Sequence, residues 1–115
     1  MLTAIAQLAR SKDPEKDLFD AIWDLLQRNF HEVHNSEGRG YNASRAYQSL
    51  YRHGARRSVE LAVLNPNAEG FGRLGEEGRL DLTYEWFVLN PRWSFSEPTR
   101  QKAWEKLAAA SFGAA

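Results

Sequence analysis

Tyr84-Glu85-Trp86-Phe87-Val88-Leu89-Asn90-Pro91 reads in two ways, and the choice decides the fold. With Leu80 and Leu82 before it, Tyr84, Trp86 and Val88 alternate, as in a half-buried strand. Leu82, Trp86 and Leu89 also recur at helical spacing, and Thr83 stands where a helix cap belongs. A second stretch, Val59-Glu60-Leu61-Ala62-Val63-Leu64-Asn65-Pro66, carries one glutamate in an apolar run and stops at the same Val-Leu-Asn-Pro. Asn tolerates the left-handed conformation that closes a helix, and proline cannot continue one. Both stretches are therefore read as buried helices ended by one device. The competing reading is an α+β fold with a two-stranded hairpin at 58–64 and 80–89.

Outward from this pair the helical signals accumulate. Before it, Leu18, Ile22, Leu25 and Leu26 form an apolar stripe, widened by Phe19, Trp23 and Phe30. Asp13 is placed to cap this helix and Pro14 to open it. Asp13, Asp17, Asp20 and Asp24 put carboxylates on a separate face. A Gly-, Asn- and Ser-rich loop runs from His31 to Asn42. A helix from Ala43 buries Ala46, Tyr47 and Leu50, and Gly54 interrupts or kinks it. Ala68 to Glu77 reads as a short helix ended by Gly78. Ser96 and Pro98 open a last helix with Ala103, Trp104, Leu107 and Ala108 inward. The expected fold is all-α, a bundle of about five short helices in one domain spanning 1–115.

Composition narrows the function. The 115 residues carry 15 basic and 15 acidic side chains, for a net charge of zero. General nucleic-acid and membrane-surface binders are usually more basic, and near-zero charge permits self-association. The absence of cysteine excludes disulfides, thiolate nucleophiles and cysteine zinc sites, and fits a reducing, cytoplasmic setting. The opening Met1 to Arg10 is apolar at helical spacing but too short and polar for a membrane span, and it lacks a signal peptide's basic start.

From Phe19 onward, about four-fifths of the chain resembles a small all-helical domain of uncharacterised bacterial proteins. The residues that carry the likeness are Gly40-Tyr41-Asn42-Ala43-Ser44-Arg45, then Gly70-Phe71 with Leu74, Glu77 and Gly78. The densest part is Gly78-Arg79-Leu80-Asp81-Leu82-Thr83-Tyr84-Glu85, followed by Val88-Leu89 and Pro91. The resemblance implies helices in both matching stretches and a stand-alone or appended module. It implies no activity, so no functional residue is carried over.

The candidate site is a basic block. Between Gly38 and Ser58 stand Arg39, Arg45, Arg52, Arg56 and Arg57, with no acid among them. On one continuous helix Arg45, Arg52 and Arg56 share a face, with His53 and Arg57 beside it. Guanidinium forks suit carboxylate and phosphate, and the interleaved Tyr41, Tyr47 and Tyr51 offer contact area or base stacking. The plainer reading is that this face meets the four-aspartate face, within one chain or between two.

Other motifs weigh less. His31-Glu32-Val33-His34, with Glu37, offers two imidazoles at i and i+3 but lacks the zincin spacing, so loop histidines are the default and no metal or cofactor is expected. Gly70 to Gly75 matches a dinucleotide fingerprint in spacing and fails it in context. Ala68 to Leu89 has a helix-turn-helix outline, but its second element offers Tyr84, Trp86, Phe87, Val88 and Leu89, which belong in a core. Glu60 is expected to pair with Arg57, and Glu85 with Arg79 or Arg92. Among Trp86, Trp93, Trp104, Phe87 and Phe95, an exposed pair marks a partner site.

The leading expectation is a non-catalytic module that docks on an acidic surface, of another protein or of itself, through Arg45, Arg52, Arg56, Arg57, His53, Tyr47 and Tyr51. Its rival is a nucleic-acid binder using the same arginines. An enzyme is the weakest reading, with His31, His34 and Glu60 its only candidates and no substrate implied.

Overall fold

Glu85 and Val88 are buried one helical turn apart, below the buried Leu82 and Thr83, while Trp86 between them is 56% exposed. That pattern is helical and not alternating. The computed structural model describes residues 2–34, 38, 40, 43–67 and 69–113. Among them the chain is all-α: α1 Ala4–Lys12, α2 Lys16–Glu32, α3 Ser44–His53, α4 Ala55–Leu64, α5 Glu69–Glu76, α6 Tyr84–Val88 and α7 Glu97–Gly113. Short 3-10 turns occupy Leu80–Leu82 and Pro91–Trp93. No strand occurs among the described residues; one isolated antiparallel bridge joins His34 and Gly40. The hairpin alternative is replaced by α4 and by the 3-10 turn followed by α6. Thr83 joins that turn to α6: its Oγ1 donates to Leu80 O at 2.7 Å and accepts from Trp86 N at 3.1 Å, closing the turn and capping α6. No helix among the described residues is long and apolar enough to cross a membrane.

Backbone contacts divide the chain into two units, Met1–Val59 and Glu60–Ala115. In the first, α1 packs on α2 and α3. Thr3 Oγ1 caps α1 by accepting from Ala6 N at 3.1 Å. Leu18, Phe19, Ile22, Leu25 and Leu26 of α2 are buried, as are Leu50 of α3 and Val59 of α4, whereas Phe30 is half-exposed. Burying each such side chain contributes about 1.5–3 kcal/mol. Asp13 does not cap α2: Glu15 holds the cap position, and its own side chain makes no cap bond. Instead Asp13 is buried, with Oδ1 accepting from Glu15 N at 2.8 Å and Oδ2 from Ala55 N at 2.7 Å. It therefore caps α4, across 42 residues. Gly54 makes this possible. Its φ of 86° and ψ of 172° lie where only glycine is at ease, and a Cβ there would stand 3.3 Å from Asp13 Oδ2.

In the second unit α5 ends in a Schellman motif. Gly78 (φ 72°) donates to Gly75 O at 3.1 Å, and Arg79 N reaches back to Leu74 O at 2.9 Å. α6 packs on α7, whose Ala103 and Leu107 are buried. Trp86 and Trp104, expected inside, are 56% and 60% exposed. On α7 the inward stripe runs through Thr99, Ala103 and Leu107, and Trp104 stands a hundred-degree step to its side.

The two Val-Leu-Asn-Pro stops are alike in geometry, though not by the left-handed route. The only non-glycine residue with positive φ among those described is Ser94. Asn65 N donates to Ala62 O at 3.3 Å and Asn90 N to Phe87 O at 3.2 Å, each tightening a last turn. Each asparagine Oδ1 then accepts from the backbone amide two residues on, Asn67 N or Arg92 N, both at 3.0 Å. The asparagine acts through its side chain, bridging over a proline that has no amide to offer.

Candidate functional site

α3 turns Leu50 inward, which sends Arg45 and Arg52 to the opposite side, where both are exposed. Seven residues separate them, about 10.5 Å along the axis. Tyr47 and Tyr51 lie on the flank between these faces and meet Trp23 of α2. Trp23 is edge-on to Tyr47 at 5.0 Å and stacked with Tyr51 at 6.5 Å, and the two tyrosine rings are 6.4 Å apart. The Tyr47 hydroxyl accepts from Gln27 Nε2 at 2.7 Å. Burial pushes both phenols above their ordinary pKa, against the smaller opposite pull of a hydrogen bond from Gln27 on Tyr47 and from Thr3 on Tyr51. The two tyrosines join α3 to α2 through these rings and are half-buried.

Arg56 does not continue the row. Gly54 ends α3, so the i, i+7, i+11 relation with Arg45 and Arg52 is broken, and Arg56 belongs to α4. There its guanidinium grips Glu15 in a fork, Nη2 to Oε1 at 2.7 Å and Nε to Oε2 at 2.9 Å. This hydrogen bonding holds the Glu15 carboxyl below the usual carboxylate range, with partial burial opposing it. Arg57 on α4 and His53 at the end of α3 are exposed. Arg52, His53 and Arg57 make no hydrogen bond or ion pair among the described residues. Arg39 and Tyr41 lie outside the described residues.

Among the described residues no ion pair joins the aspartate face to these arginines. Asp13 serves the α4 amide. Asp20 takes a fork from Arg10 of α1, Nε to Oδ1 at 2.7 Å and Nη2 to Oδ2 at 2.9 Å. Asp17 and Asp24 stay exposed. Arg10 and Glu15, the partners that close these charges, carry no sequence signal beyond their type.

The second polar centre was also hidden. Glu85 is almost fully buried and pairs with neither Arg79, which bonds Asp81 at 3.1 Å, nor Arg92, which lies over the Trp93 ring at 4.5 Å. Its partner is Lys106 of α7, at 2.5 Å. The same ammonium donates to Asn65 O at 3.1 Å and Val63 O at 3.2 Å, neutralising the carbonyl end of α4, and sits 5.1 Å from the Phe71 ring centre. Every donor of this lysine is occupied, so the centre holds structure together and offers nothing to a substrate. Glu60 is half-buried and has no partner among the described residues; Arg57 does not reach it.

The remaining motifs come to little. His31 and His34 are exposed, and Glu37 lies outside the described residues. Among the described residues no three His, Asp or Glu side chains gather as a metal site would need. Gly70 to Gly75 is part of α5 and not a phosphate loop. The second limb of the helix-turn-helix outline is α6, five residues long, with Glu85 and Val88 turned inward. Compared with family models, curated proteins and solved structures, the chain shows no match.

Proposed function

We propose that the chain is a non-catalytic protein-interaction module that docks an acidic surface through the outward row of α3 and the exposed Arg57 of α4. Arg52, His53 and Arg57 make the charged contact with Arg45 at the far end of the row, and Tyr47 and Tyr51 supply the apolar flank. Arg56 supports this surface from behind through Glu15. One observation carries the reading: Arg10, Arg56 and Lys106 are engaged internally, whereas Arg52, His53 and Arg57 face water without a partner among the described residues. Exposed guanidinium groups such as those of Arg52 and Arg57 suit a carboxylate-rich partner. The lack of cysteine supports a reducing, cytoplasmic setting. Trp86 and Trp104 add exposed aromatic area in the second unit, of the kind that anchors partners.

The alternative is a single-stranded nucleic acid on the same arginines. Zero net charge and the wedged tyrosines favour a protein. Fluorescence anisotropy with a labelled oligoglutamate peptide and a labelled single-stranded oligonucleotide, each titrated across salt, separates the two. The expected result is saturable peptide binding and no oligonucleotide binding even at low salt. Oligonucleotide binding that falls steeply with salt, with the peptide unbound, overturns the proposal in favour of the alternative.

A further inference from the structure

We infer that the outer face of α7 is a self-docking seam, on which a second copy of the chain lays its own α7 in parallel. The inference concerns the second unit and stands whatever docks on α3. α7 turns Thr99, Ala103 and Leu107 inward. On its other side Gln101, Trp104, Ala108 and Ser111 recur at intervals of three, four and three residues, the seam spacing of a two-stranded coiled coil. Gln101, Trp104 and Ser111 are exposed and Ala108 is half-buried. Trp104 stands in the middle of this row, and an indole at the centre of a contact face is the side chain that most often anchors a partner. Glu97, one turn earlier, ends the seam, because two carboxylates would repel each other across it.

The charges on the two flanks select a second copy. Arg100 borders the row on one side and Glu105 on the other, and both are exposed. Five residues apart on one helix, they stand about 140° from each other and cannot pair within the chain. The Arg100 side chain makes no bond among the described residues. Glu105 accepts only from the neutral Gln101 amide, at 3.4 Å to Oε1, so its charge has no counter-ion. In a parallel pair of helices a residue flanking the seam meets the opposite flank of its partner five residues on, so Arg100 of each copy faces Glu105 of the other. A two-fold axis along the helices makes this contact twice and brings the Trp104 rings together. An antiparallel pair would set like flanks side by side, with Arg100 away from Glu105, so the charges also fix the direction. Zero net charge removes the general repulsion that keeps like molecules apart. The seam is short and its ion pairs are exposed, so the association is weak and salt-sensitive.

Sedimentation equilibrium tests this. At low salt the wild-type mass rises with concentration towards twice that of one chain, and Trp104→Ala stays at one. Arg100→Glu and Glu105→Arg each self-associate about tenfold more weakly, because two exposed pairs become two repulsions. An equimolar mixture of these two variants recovers wild-type association, since every flank contact again joins opposite charges. Ser111→Cys, which adds the only thiol to a chain without cysteine, gives a disulfide-linked dimer on mild oxidation, as a parallel seam requires. Circular dichroism confirms that each variant is helical; should Trp104→Ala unfold, Trp104→Gln replaces it. A wild type that is monomeric at every concentration and salt overturns the inference. So does a dimer that Arg100→Glu leaves intact, which would put the contact on another face, and so does a mixture that fails to recover. A Ser111→Cys chain that dimerises without becoming linked overturns the parallel arrangement.

Discussion

Glu60 and Glu85 occupy the same place in two nearly matching stretches, yet one is idle and the other is locked. Glu85 is 2% exposed and held by Lys106, whereas Glu60 is half-buried without a partner among the described residues. The helix starts differ in the opposite sense. α6 begins on its own neighbour, Thr83, while α4 begins on Asp13, 42 residues away. Only the stops agree, because Asn-Pro chemistry is complete within three residues. The comparison separates what a short motif dictates from what tertiary contact adds. Matching letters reproduce a stop, and the fate of the glutamate depends on a lysine 21 residues further on.

The sharpest way to break the comparison is to remove the two glutamates in turn. Glu85→Ala leaves a buried ammonium without its anion, and stability falls by about 3–5 kcal/mol. Glu60→Ala removes a side chain with no bond among the described residues, and the change stays within about 0.5 kcal/mol. Urea denaturation of both variants reads the difference, and equal losses would mean that the two stretches are equivalent after all. The helix starts give a smaller contrast. Asp13→Ala strips a buried charge-assisted bond from the α4 amide and costs about 1.5–3 kcal/mol. Thr83→Ala removes a local cap and costs about 0.5–2 kcal/mol. Denaturant midpoints in the reverse order would show that α6 depends on its cap more than α4 does.

Legibility in the sequence follows the same division. Thr83 as a cap, Gly78 as a stop, Gly54 as a break and the all-α class were all readable, because each acts on its own backbone. Three ion pairs and caps were not: Asp13 with Ala55, Arg56 with Glu15, and Glu85 with Lys106, spanning 42, 41 and 21 residues. No periodicity reports which of 15 basic side chains reaches which of 15 acids. Trp86 and Trp104 were expected inside from their places in apolar stripes, but a ring's burial depends on which helical face the neighbouring element covers. Half of the cationic face was visible, as the Arg45 and Arg52 spacing within α3. Adding Arg56 to it assumed a continuous helix, and the positive φ of Gly54 ends that helix one turn too early.

Whether arginines divide into an outward working row and an inward structural one is tested most directly by comparing Arg52→Gln with Arg56→Gln in thermal melts from neutral to acidic pH and in oligoglutamate binding. Glu15 titrates below its ordinary range when folded, so its bond to Arg56 stabilises the fold above the unfolded-state value and is lost as pH falls through the folded one. Solvent reaches this pair, which limits it to less than about 1 kcal/mol. The account predicts that Arg56→Gln melts a few degrees lower at neutral pH, that the gap closes in acid, and that peptide binding survives. Arg52→Gln melts with the wild type at every pH and binds the peptide more weakly. A lower melt for Arg52→Gln, or undiminished binding by it, would contradict the account.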